Sequence, residues 1–91
     1  MTHCEEMQTV ILRISELFRT AQLNNWHEVF IKFAKEVKTN PQLTRSQIIS
    51  LFGGVGSLND IILYINGQPL INENNELDEL RSKLYLLCRE A

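Results

Sequence analysis

The sequence predicts one α+β domain spanning residues 1–91: three N-terminal helices, a β-hairpin and a C-terminal helix. Three observations predict it. Apolar residues recur at the helical period through the first half of the chain and again from Leu77 onward. Between these regions, Ile61-Ile62-Leu63-Tyr64-Ile65 is β-branched and aromatic, and it runs into Asn66-Gly67, the strongest short hairpin signal. With 91 residues, 44% of them hydrophobic and 22% charged, the chain has material for one core and not for two.

In the first helix, Val10, Ile14, Leu17, Phe18 and Ala21 share one face, with Glu5 and Glu6 in the first turn and Arg19 in the last, as the helix dipole favours. Asn24 and Asn25 punctuate the chain, and one of them serves as the next N-cap. The second helix has the cleanest pattern, with Trp26, Val29, Phe30, Phe33, Ala34 and Val37 on one stripe and Ile31 off it. Asn40-Pro41 ends it, because a residue before proline avoids the α region.

A third, shorter helix is expected from Thr44. The spacing Thr44-x-x-Gln47 has the form of a capping box, with Ile48, Ile49, Leu51 and Phe52 behind it. The hairpin returns through Gln68-Pro69-Leu70-Ile71, and Pro69, having no N–H to donate, makes that strand an edge. Both faces of residues 61–65 are apolar, so cover is expected on both sides. Residues 72–75, Asn-Glu-Asn-Asn, read as a polar link. Leu77, Leu80, Leu84 and Leu87 then give a helix to about Arg89.

The stretch between the third helix and the hairpin holds Gly53, Gly54 and Gly56. It is not a P-loop, since no Gly-Lys-Ser/Thr follows to reach phosphates and magnesium. Nor is it a dinucleotide fingerprint, since the third glycine is missing and the order is helix then strand. A tight turn accounts for it: Gly53 closes the helix, Gly54 and Gly56 permit positive φ, and Ser57, Asn59 and Asp60 hydrogen-bond the backbone groups thereby freed. A binding role for the loop is the alternative, although Asp60 would repel a phosphate.

No catalytic constellation is expected. A Cys–His pair would need Cys4 or Cys88 with His3 or His27, and His27 falls off the apolar face as a surface residue. The two cysteines lie at opposite ends and read as reduced thiols; joined by His3 they would still lack a fourth metal ligand. No metal and no cofactor is expected. The polar N-terminus is not a secretory signal and no run is long enough to span a bilayer, so a cytoplasmic protein without membrane contact is expected.

The formal net charge is −2, where nucleic-acid-binding domains are usually basic. Lys32, Lys35 and Lys38 step along the second helix with Arg45 nearby, but Glu28 and Glu36 interleave, which suits a solvated face better than a phosphate-binding stripe. No nucleic-acid partner is expected. Charge is uneven: residues 1–52 sum to +1 and residues 53–91 to −3. Glu73, Glu76, Asp78 and Glu79 fall within seven residues at the start of the last helix. They complement its dipole, and with Asp60 they form the candidate surface for a basic protein partner.

The run FGGVGSLNDIILYINGQPL, with NELDELRSKLYLLC after it, resembles a group of small bacterial proteins of unassigned function. They share an Ile/Leu-Phe-Gly-Gly-x-Gly-Ser-x-Asn-Asp segment, an apolar strand and a leucine-rich C-terminal helix, and the resemblance covers residues 48–88. It implies no particular chemistry. Small acidic proteins of this build are similar to the immunity proteins that accompany bacterial toxins, which share a task and not a fold. The expected function is therefore a non-catalytic protein-binding module, an immunity or inhibitor protein occluding a toxin such as a nuclease. The alternative is a homodimeric structural or regulatory subunit that associates through the hairpin edge or the Leu77/Leu84 face.

Overall fold

A computed structural model describes residues 3–53 and 57–89. The order is α1 (His3–Thr20), α2 (Asn24–Glu36), α3 (Pro41–Ile49), a 3₁₀ turn (Leu58–Asp60), β1 (Tyr64–Ile65), β2 (Gln68–Pro69) and α4 (Ile71–Arg89). This is the α+β arrangement expected from the sequence. The long helix α1 packs on α2 along one side and on α4 along another, and α3 closes the far side of α4. The core lies between these helices and includes Met7, Ile11, Ile14, Phe18, Phe30, Val37, Leu77 and Leu84.

The α1 stripe is buried as its spacing predicts. The helix ends in a Schellman motif: Leu23 N–H bonds the Phe18 carbonyl at 2.9 Å, Gln22 N–H bonds that of Arg19 at 3.0 Å, and Gln22 takes a φ of 61°. A glutamine in the position glycine favours is not a signal a sequence announces. It also displaces the expected punctuation. Asn24 and Asn25 lie inside α2, and the N-cap is Leu23, with no side-chain hydrogen bond.

On α2, Phe30, Phe33, Ala34 and Val37 are buried, and Phe30 meets both Phe18 (5.3 Å between centroids) and Phe33 (5.5 Å) edge to face. Trp26 is only partly buried, and Val29 is exposed, at the margin of a stripe wider than the surface it covers. The third helix begins three residues earlier than its capping box suggests. Asn40 is the N-cap, its side chain accepting from Leu43 N–H, and Pro41 occupies the first turn, where a missing N–H costs nothing. Thr44 is buried inside the helix and its hydroxyl donates back to the Asn40 carbonyl at 2.9 Å.

The hairpin is present but short. Tyr64 pairs with Pro69 and Ile65 with Gln68, while Asn66 (φ 52°) and Gly67 (φ 78°) supply the two positive φ values of a type I′ turn. Leu63 is buried, whereas Ile62, Tyr64 and Ile65 are exposed, so helices cover one face of this segment and not both. The polar run at residues 72–75 is not a link: α4 starts at Ile71, directly after β2. Its first turn is tied to the hairpin, because Asn74 N–H bonds the Leu70 carbonyl at 2.8 Å.

Candidate functional site

The helix α4 carries the segment that follows the glycines. Gly53 takes a positive φ of 107°, but it does not end the third helix as expected: α3 stops at Ile49 with Ser50 as its C-cap, and Gly53 comes three residues after that cap. Gly54 and Gly56 lie outside the described residues. Beyond them the chain is held from α4 by two polar side chains seven residues apart, hence on one face of that helix. Arg81 donates through Nη1 to the carbonyls of Leu58 (2.9 Å) and Ile61 (3.0 Å) and pairs through Nη2 with Asp78. Asn74 grips Leu63 with both ends of its amide.

Two expectations for the turn change as a result. The Ser57 hydroxyl is buried without a hydrogen-bond partner, so it does not serve the backbone as predicted; the Ser57 carbonyl accepts from Asp60 N–H instead, at 3.0 Å. The backbone groups of this stretch are satisfied largely from α4. Asn59 is exposed and lines a cleft of about 400 Å³ with Phe52, Arg81, Ser82 and Tyr85. With the Arg81 guanidinium engaged by two carbonyls and a carboxylate, and no histidine on its wall, this cleft presents no nucleophile–base pair.

The acidic residues do not form a single patch. At about 100° per residue, Glu73 and Glu76 fall on one flank of α4 and Asp78 and Glu79 on the outward face. Glu76 makes a bidentate ion pair with Arg13 of α1, at 2.5 and 2.8 Å. The hydrogen bond from Arg13 holds the Glu76 carboxyl below its usual range, and the same bond raises the Arg13 guanidinium. Asp78 is engaged by Arg81. Glu79 is exposed, Glu73 half-buried and Asp60 exposed at the end of the 3₁₀ turn. Thus Glu76 and Asp78, among the predicted partner-binding carboxylates, are engaged by arginines of the same chain. What they share is a stretch of sequence: residues 46–80 contain five acids and no lysine, arginine or histidine.

The other candidate groups are also accounted for. His27 is not a free surface residue, since its Nδ1 donates to the Ser15 carbonyl at 2.8 Å. His3 Nε2 donates to the Leu87 carbonyl at 2.8 Å, which brings the start of α1 to the end of α4. No group of three or more metal-capable His, Cys, Asp or Glu side chains occurs among the described residues. Cys88 is buried, and that burial pushes its thiol up to about 11. Arg45 is half-buried, its Nε enclosed without a partner and its charge acting on the Cys88 thiol, so it does not extend the lysine row of α2. Lys32 of that row lies 3.9 Å from Glu36. No described helix is long and apolar enough to cross a membrane.

Arg81 and Asn74 were not singled out by sequence reasoning. A polar residue on the inner flank of a leucine-spaced helix is the signal that points to them, because such a residue must find buried partners.

Residues 19–71, more than half of the chain and including the glycine turn and the hairpin, match a family described as a domain of unknown function, DUF6966. The chain belongs to that family. No curated protein and no solved structure matches it.

Proposed function

We propose that this DUF6966 protein is a non-catalytic protein-binding module, most concretely an immunity or inhibitor protein that occludes the basic active site of a cognate bacterial toxin, such as a nuclease. One observation carries the reading: the absence of any basic side chain from residues 46–80 beside five acids, all on the turn, hairpin and first half of α4. Although Arg13 and Arg81 pair with two of these acids, the net negative charge of the stretch would speed encounter with a basic protein and disfavour nucleic acid. The carboxylates stand where a nuclease would otherwise find phosphates. Glu73 and Glu79 carry this role best, since Glu76 and Asp78 also hold internal ion pairs.

The test is capture of the tagged protein from its native cells with the bound protein identified, then association kinetics of the purified pair. A single basic partner at one-to-one is expected, with Glu73→Lys and Glu79→Lys slowing association several-fold at low salt and less at high salt. An acidic partner, or rates indifferent to both reversals, would overturn it. The homodimer reading loses one of its two surfaces, because Leu77 and Leu84 are buried in the core of the single chain. Only the hairpin remains for it, and sedimentation at high concentration separates the two readings.

A further inference from the structure

Side chains alternate across a strand, so the hairpin register defines two faces. The Leu70 N–H bond to the Leu63 carbonyl, 3.0 Å, continues the ladder past Tyr64↔Pro69. Beyond Leu70 the ladder stops, because Ile71 is already the first residue of α4. The inner face carries Leu63, which is buried, and Leu70, which is partly so. The outer face carries Ile62, Tyr64 and Pro69, and Ile71 follows as the first residue of α4. All four are exposed, Ile62 at 55%, Tyr64 at 48% and Ile71 at 70%.

This is not the ordinary scatter of single apolar residues over a surface. Of eight exposed large hydrophobic side chains among the described residues, four lie in residues 62–71; Ile62, Tyr64 and Ile71 contribute to this patch, and Ile65 alternates to the face of Leu63. Together the patch residues offer an apolar area on the order of 400 Å², a size at which patches are often functional. It is about half of the ~800 Å² per partner that a stable interface buries, so the rim must contribute the rest.

The rim identifies the occupant. Along α4, Asn75, Asp78 and Glu79 follow Ile71 on the same exposed side, and Asp60 precedes the hairpin. Arg81, the first basic residue after Arg45, is buried and engaged. A second copy meeting this face about a two-fold axis would set carboxylates against the same carboxylates. A basic partner would meet them with opposite charge, around an apolar centre, the anatomy of an ordinary interface.

We propose that the outer face of the hairpin, Ile62, Tyr64 and Pro69, together with Ile71 at the start of α4, is the anchor for a basic protein partner that seats an apolar side chain there and surrounds it with lysine or arginine. This rests on the partner-binding reading above, though not on the partner being a toxin.

The experiment is selection of a random dodecapeptide phage library against the full chain. Enriched peptides are expected to hold an aromatic or aliphatic residue flanked by Lys or Arg. Their affinity should fall about tenfold or more in Ile62→Asp and in Ile71→Asp, and stay unchanged in Leu43→Asp, an equally exposed position on α3. Thermal melts of the three variants check that each remains folded. Peptides without basic residues, peptides that bind the hairpin variants undiminished, or no enrichment at all would overturn the proposal. So would concentration-dependent dimerisation abolished by Ile71→Asp, which would make a second copy the occupant. Peptide selection needs no native partner, so it can succeed where native-cell capture finds no toxin, and the two failures remain separable.

Discussion

The side-chain amide of Asn74 holds both backbone polar groups of Leu63: its Oδ1 accepts from the Leu63 N–H at 2.7 Å, and its Nδ2 donates to the Leu63 carbonyl at 3.1 Å. A helix side chain thus takes the place of a third strand for one residue, and Leu63 itself is fully buried beneath it. The Leu63 carbonyl also accepts from Leu70 N–H, so Asn74 is the partner on which the buried Leu63 N–H depends. Asn74→Ala is expected to cost about 1–3 kcal/mol, the usual penalty for stranding buried polar groups. Asn74→Asp, which loses the donor and sets a carboxylate against a carbonyl, should cost no less. Chemical denaturation measures the loss, and amide exchange should quicken first at Leu63 and Leu70.

Arg81 binds the preceding loop two turns further along α4. Its guanidinium is largely buried against two carbonyls, while its carboxylate partner Asp78 is mostly exposed. The two halves of this ion pair therefore differ in weight. Arg81→Met should destabilise by about 2–4 kcal/mol, since it strands the Leu58 and Ile61 carbonyls, and Arg81→Lys should not restore the loss because an ammonium lacks the planar fork. Asp78→Asn should cost less than about 1 kcal/mol, as exposed ion pairs do. Equal losses at the two positions, read from urea midpoints, would contradict this assignment.

These two residues mark the limit of what the sequence discloses. The apolar stripes of α1 and α4 and the Asn66-Gly67 turn follow from periodicity and turn chemistry, because in each the residue type itself carries the constraint. The start of α4 does not. Three of residues 72–75 are asparagines, poor helix formers, yet the stretch lies in the first turns of α4, where Asn74 finds partners on Leu63. Thr44 misleads for a related reason: its hydroxyl bonds backward to Asn40, a local choice that a capping-box spacing cannot distinguish from a cap. Among the partner-binding carboxylates, spacing placed the acids on α4 but said nothing of Arg13, whose approach from α1 is a tertiary fact.

Gln22 offers a gain where the other sites offer losses. Its φ of 61° is the left-handed region, in which a side chain costs roughly 1 kcal/mol, and it is held there by the Schellman bonds that end α1. Gln22→Gly relieves that strain at the expense of a looser unfolded chain. With glycine's entropic cost set against the relieved strain, the expected net is a small stabilisation of up to about 0.5 kcal/mol, visible as a slightly higher melting temperature. A lower one would mean that the Gln22 side chain makes contacts worth more than the strain.

The ion pair between Arg13 and Glu76 gives stability a dependence on acid. Glu76 has a depressed folded pKa, caused first by the hydrogen bond from Arg13, so its contribution is present above its unfolded pKa and fades as the pH falls through the folded one. Both side chains are partly exposed, so the effect stays below about 1 kcal/mol and shrinks with salt. Glu76→Gln should therefore be less stable than the parent at neutral pH, and the gap should close as the solution is acidified through the carboxylate range. Paired denaturation curves over that range test it; a gap that persists at the acid end would assign the loss to packing.

Cys88 acts at the other end of the pH scale. Its thiol is 3% exposed, and burial raises it from an ordinary 9.0 to about 11, with the charge of Arg45 opposing the shift. A raised folded pKa means that the folded chain keeps the proton after the unfolded chain has lost it. The stability this confers is complete below pH 9 and disappears as the pH rises through 11. Cys4, half-buried near the start of α1, provides the internal comparison. At pH 8 an alkylating reagent should modify Cys4 in the native protein, and Cys88 should react only at the rate at which the chain unfolds, because the thiolate is the nucleophile and the buried site holds almost none. In a Cys4→Ala variant the labelling of Cys88 should follow denaturant concentration along the unfolding curve. Labelling that is rapid and independent of denaturant would show that α4 opens at its C-terminal end without global unfolding, and the contact of His3 with the Leu87 carbonyl would be the first bond to suspect.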